Sequence, residues 1–226
     1  MKKINITLIM LVAILSRLNA QQTYVLTPNH DASIGFHDFT NSANTNYGNA
    51  IYYGGFSQPG VFGGENAGMG IMSFDLSIVS MGTVISHASL DLFGCGPFGI
   101  GDAASVGDIG HDGSYLERIT SSWDEYTVTY NTQPSATSKH RVHLLASTSV
   151  DEDYLGIDVT QMVQDMINDP NHSFGIRIRL RAQNPTRALA FWSRDGAPSP
   201  DKLPTLTITI SAMKTLQDGG DNSIAI

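Results

Sequence analysis

The sequence predicts an all-β protein, an antiparallel jelly-roll β-sandwich with one short amphipathic helix near residues 159–168. Three observations predict it. Short runs rich in Val, Ile, Thr and aromatics recur along the chain. Gly, Asn, Asp, Pro and Ser separate them, and the 22 glycines supply many of the turns. A single segment switches from a period of two to a period of 3.6.

The first twenty residues, MKKINITLIMLVAILSRLNA, set Lys2 and Lys3 before an apolar run from Ile4 to Leu15, with Ala20 at a cleavage point. This is the layout of a secretory signal peptide, and the run is too short to cross a bilayer. A mature chain from Gln21, secreted to the extracellular space or cell surface, is expected. No transmembrane segment is expected after it. Without Lys2, Lys3 and Arg17, 10 of the 13 basic residues remain against 21 acidic ones, a net of −11. Residues 21–138 hold one basic residue, Arg118, whereas residues 139–194 hold seven. So acidic a chain argues against a nucleic-acid partner, while its clustered bases allow a local cationic face.

Strands are expected at 23–27, 32–36, 51–53, 70–76, 85–93, 114–120, 127–130, 141–145, 154–157, 175–181, 189–194 and 205–210. The sandwich domain spans 21–211, and 212–226 reads as a linker or tail. The helix comes from DVTQMVQDMINDP, where Val159, Met162, Val163, Met166 and Ile167 form one apolar face. Asp158 is placed to cap its first turn, Gln161 to complete a capping box, and Pro170 to stop it. The helix is expected to cover an end or edge of the sandwich. Cys95 is the only cysteine, so no internal disulfide is possible. The core must hold the fold, with help from any bound metal.

Catalytic motifs are not found. GCGPFG at 94–99 satisfies G-x-G-x-x-G, but no helix start follows to receive a pyrophosphate. DIGHDGSYLE puts Asp108, Asp112 and Gly113 at EF-hand positions, yet lacks the third-position ligand and brings Glu117 two residues early. It reads as an Asp–Gly turn. The seven histidines show no helical zinc spacing. Asp124 and Glu125 follow Trp123 with nothing to set a second carboxyl across a cleft.

Four segments carry a more specific pattern, in order. DASIGF leads to NTNYGNAIYYGG, then IMSFDLSIVSMGTVISHASLDLF. ITSSWDEYTVTYNTQP follows with W-x-E-x-x-V-T-x-N-x-x-P spacing, then YLGIDVTQMVQDMIND, FGIRIRL, FWSRD and LPTLTITI. Together they resemble the DNRLRE-domain family, with the alginate-binding carbohydrate-binding modules grouped with it, over about residues 23–210. The resemblance implies a secreted, non-catalytic β-sandwich that binds polysaccharide. It leaves most matching residues structural, with Trp123 a core anchor whose N–H is bonded, and Glu125 and Asn131 tying down backbone. Asp31 and Asn46 are the candidates for a structural calcium loop. The ending NSIAI is similar to the start of a type IX secretion sorting domain, a route to the cell surface.

GIRIRLRA, residues 175–182, alternates Ile176, Ile178 and Leu180 with Arg177, Arg179 and Arg181. A half-buried strand would set the three guanidinium groups on its outer face. In SKHRVHLL the same parity turns Lys139, Arg141 and His143 outward, and in ALAFWSRD it turns Trp192 and Arg194 outward. If these strands share a sheet, they form one basic surface with an indole on it. Guanidinium forks match uronate carboxylates and an exposed ring stacks on a sugar, so alginate or pectin is the expected ligand class. Two rivals remain. A structural or adhesive module would show these arginines paired internally, and a polysaccharide lyase would need a His and a Tyr converging beside them.

Overall fold

The computed structural model describes residues 21–37, 42–59, 65–95, 110–182 and 187–211. The expected signal peptide, the tail at 212–226 and most of the GCGPFG loop lie outside the described residues. The described residues form two antiparallel sheets. The smaller contains β1 (Gln22–Leu26), β5 (Ile85–Leu92), β8 (Tyr154–Asp158) and β11 (Thr205–Ile210), in the order β1-β11-β5-β8. The larger contains β2 (His30–His37), β3 (Tyr52–Pro59), β4 (Glu65–Ser73), β6 (Ser114–Ile119), β7 (Ala136–Leu144), β9 (Ile176–Leu180) and β10 (Arg187–Trp192). Its order is β10-β3-β4-β9-β6-β7, with β2 also paired to β4. The expected all-β sandwich is what forms.

Period two decides which side chains enter the core. Ile176, Ile178 and Leu180 of β9 point between the sheets, where they meet Leu90 and Leu92 of β5, Leu206 and Ile208 of β11, and Phe191 of β10. The helix α1 (Thr160–Asn168) adds Met162, Val163, Met166 and Ile167 to the same core. Asp158 Oδ1 accepts the Thr160 N–H at 2.9 Å, as its position predicts, but Gln161 forms no capping box: the cap position falls on Val159, which has no polar side chain and whose N–H goes to the Ala88 carbonyl. Burying this apolar stripe is what makes so short a helix stable.

The larger sheet is wetted on only part of its outer face. Ile71 and Met69 of β4 pair in register with Arg177 and Arg179, so all four face outward. The segment from Trp123 to Tyr130 folds over the apolar half and closes, through Val128, a second cluster with Ala32, Ile34, Met69, Ile71 and Ile119. Trp123 donates its indole N–H to the Phe174 carbonyl at 2.8 Å, the anchoring role its motif predicts. Residues 127–130, expected as a strand, are instead turn and coil. Thr129 and Thr132 bond each other's backbone, which supplies a local substitute for a ladder.

Gly175 immediately precedes β9 with φ +127°, a conformation glycine tolerates, and a Cβ there would lie 2.1 Å from the Met72 carbonyl oxygen. Cys95 follows the end of β5, beside the Gly94–Phe191 bridge, and burial pushes its thiol up to about 12.

Candidate functional site

The strand order brings β7 and β9 to either side of β6. On the outer face, Tyr115 of β6 therefore pairs with His143 on one side and Arg179 on the other, and Glu117 pairs with Arg177. Tyr115 is the hub of this surface. The guanidinium carbons of Arg141, Arg179 and Arg181 stand 4.7, 5.1 and 5.7 Å from its ring centre. The His143 ring meets it edge-on at 4.8 Å.

Glu117 sits beneath the arginines, its side chain 3% exposed. Its Oε2 accepts from Arg177 Nη2 at 2.5 Å and from Arg179 Nε at 2.9 Å, and its Oε1 accepts from Arg179 Nη2 at 3.0 Å. Arg141 Nη1 lies 3.6 Å from Oε1. Burial would raise the Glu117 pKa, but the bonds from Arg179 and Arg177 outweigh it and hold the carboxyl below its usual range. Those bonds likewise raise Arg179. Four guanidinium groups against this single carboxylate leave the cluster at +3 before His143 is counted.

Of the eight residues expected on the basic surface, five converge: Arg141, His143, Arg177, Arg179 and Arg181. Lys139 does not join them. Between Leu116 and Arg118 the β6–β7 register slips, and His140 takes φ +52°, so the alternation on which Lys139 was placed breaks. Lys139 and His140 reach instead to Asp165 of the helix, at 3.0 and 2.9 Å. Trp192 does face away from the core, but on β10, with β3 and β4 between it and β9. Arg194 is farther still in role. Its backbone N–H bonds Asp31 and its guanidinium bonds Glu125 at 2.9 Å. Arg177, although in the row, is mostly buried, with 16% of its side chain exposed.

Tyr115 and Glu117 were not expected. In SYLERI they alternate with Leu116 and Arg118, so their shared face was readable. That this strand lies between the two basic ones was not.

A second polar centre lies where β2 starts. Asp31 is buried, and its Oδ2 accepts the Arg194 N–H at 2.7 Å. Glu125 accepts Asp31 N–H at 3.1 Å and Arg194 Nη2 on Oε1, and its Oε2 faces His30 Nδ1 at 3.2 Å. Asp195 completes a trio whose carboxylate oxygens lie within 4.8 Å of one another. Burial raises the Asp31 carboxyl to about 6, against the opposing pull of the Arg194 N–H and charge. Asn46, expected as a calcium ligand with Asp31, has other bonds. Its Nδ2 donates to the carbonyls of Glu125 and Val128 and its Oδ1 accepts from Gly48, which clamps the loop carrying Glu125.

A cleft of 560 Å³ opens at the same end, lined by His30, Asp75, Met81, Trp123, Pro170 and Phe174 among others.

A family model described as carbohydrate-binding module family 96 matches residues 22–209. The match supports the carbohydrate-binding side of the expected resemblance; its description does not carry the DNRLRE name. No curated protein matches the chain.

Proposed function

This chain belongs to carbohydrate-binding module family 96, and from that premise we propose that it binds an acidic polysaccharide, of the alginate or pectin kind, without acting on it chemically. The observation that carries this reading is the gathering of Arg141, Arg179 and Arg181 round Tyr115 on an otherwise acidic chain. Arg141 and Arg181 lie outside the tight Glu117 fork, so their forks are the ones to meet uronate carboxylates. The Tyr115 phenol and the His143 ring add hydrogen-bonding groups beside those forks. Export of the protein, as residues 1–20 lead one to expect, belongs to the same proposal.

Affinity electrophoresis in gels containing alginate, pectate or a neutral glucan tests it. Retardation by an acidic glycan that is lost in Arg141→Ala/Arg181→Ala supports the basic face. Retardation unchanged in that variant would move the site, with the cleft beside Trp123 next in line. No retardation in any gel would favour a structural module, a reading the internal pairing of Arg177 and Arg179 with Glu117 already supports in part.

One observation favours a second reading. Tyr115 and His143 do converge beside the arginines, which is the arrangement a lyase needs, with a neutraliser for the uronate, a base and an acid. Incubation with polyuronate and a search for unsaturated chain ends by ultraviolet absorbance separates binding from elimination.

A further inference from the structure

Asp31 carries an unusual deficit. It is 0% exposed, and its Oδ1 has no hydrogen-bond partner. A buried carboxylate oxygen without a donor keeps its full desolvation cost, and most such oxygens are satisfied by a donor, a water or an ion. The neighbours make the deficit worse. Glu125, 2% exposed, and the exposed Asp195 bring carboxylate oxygens within 4.8 Å of one from Asp31.

The three come from distant parts of the chain. Asp31 lies in β2, Glu125 lies in the loop after Trp123, and Asp195 follows β10. Three carboxylates against the single guanidinium of Arg194 leave a net of −2 when Asp31 is ionised and His30 neutral. Arg194 answers only part of that charge. Its guanidinium bonds Glu125 Oε1 at 2.9 Å and lies 3.7 Å from Asp195 Oδ1, while only its backbone N–H bonds Asp31.

We propose that Asp31, Glu125 and Asp195 form a site for one hard divalent cation of the calcium type, with the orphan oxygen of Asp31 as its buried ligand. Oxygens that share one calcium at about 2.3–2.6 Å lie up to about 5 Å apart, which is the spacing these three offer. An all-oxygen carboxylate set suits hard cations such as calcium, magnesium and manganese over zinc and copper. His30 Nδ1 faces Glu125 and holds it from the other side, as hydrogen-bonded partners of metal-ligating carboxylates do. Asn46 fixes the backbone of the same loop. The cation would fasten β2, the Trp123 loop and the end of β10 together, a cross-link for a chain with no disulfide.

The site is separate from the basic face, so the two proposals fail independently. The test uses the mature protein, analysed for bound metal as purified, stripped with chelator, and titrated with CaCl₂ by calorimetry and thermal melting. One equivalent of calcium per chain is expected, with Tm rising by about 5–10 °C at a hundredfold excess over Kd. Asp195→Asn, at an exposed position, is expected to melt like the stripped wild type and to weaken calcium binding about tenfold or more. Asp31→Asn is expected to abolish it. No heat and no change in Tm at millimolar calcium overturns the proposal, as does an undiminished response in Asp195→Asn. A response to Mg²⁺ without one to Ca²⁺ overturns the choice of ion. Glycan retardation measured with and without chelator shows separately whether the binding face works.

Discussion

Arg179 holds Glu117 through two parallel hydrogen bonds, Nε to Oε2 at 2.9 Å and Nη2 to Oε1 at 3.0 Å. This fork is the strongest geometry available to the pair, and it binds one arginine of the row to its own sheet. Glu117→Gln should destabilise the protein by about 2–3 kcal/mol in urea denaturation, near the low end for a broken buried pair because Arg179 reaches solvent. The same change raises the cluster from +3 to +4. If the face binds polyuronate, retardation in alginate gels should increase although the protein is less stable. Reduced retardation in a folded variant would mean that arginine placement matters more than charge.

Acid should weaken the sandwich through the same carboxyl. Its pKa in the folded chain lies below the ordinary 4.5, so its contribution is full above that value. It is lost as pH falls through the lower, folded value. A pH series of thermal melts should show wild type and Glu117→Gln converging below about 4.5. A difference in Tm that stays constant down to the lowest pH would show that Glu117 is not the group titrating.

Lys139 provides an internal control. Its ammonium is paired with Asp165 on the helix, so Lys139→Ala should leave glycan retardation unchanged. Arg181→Ala should reduce it, more at low salt than at high salt, because exposed charges are screened. Equal losses in both variants would point to diffuse charge in place of a site.

Gly175→Ala should cost about 3 kcal/mol or more, since φ +127° is strained for any side chain and a Cβ would sit 2.1 Å from the Met72 carbonyl oxygen. Its midpoint in denaturant should fall with an unchanged slope. A near-neutral result would mean that the start of β9 shifts at little cost.

Alternation in residues 176–180 was enough to assign both faces of β9, and the spacing of Val159, Met162, Val163, Met166 and Ile167 was enough to find the helix. These patterns are local, and each is set by the side chains of one element. Lys139 was misplaced because one left-handed residue, His140, resets the parity of β7, and nothing in SKHR announces it. Residues 127–130 have strand composition, but hydrogen bonds between Thr129 and Thr132 turn the chain there. Tyr115 and Glu117 needed the order of strands, a property of the whole sheet. Asp31 was singled out from sequence, while Glu125 and Asp195 joined it only once loops 94 and 164 residues away were folded against it.

Cys95, the one cysteine in the sequence, offers a local probe of the sandwich. Its thiol, raised to about 12, carries almost no thiolate at neutral pH, and the thiolate is the form that reacts. Half-buried in the fold, the thiol should therefore alkylate slowly at neutral pH, and faster whenever the end of β5 opens and returns it to water. With no second cysteine to compete, the label reads this one position. A labelling rate that climbs with denaturant ahead of the global transition would report loosening at this corner of the sandwich.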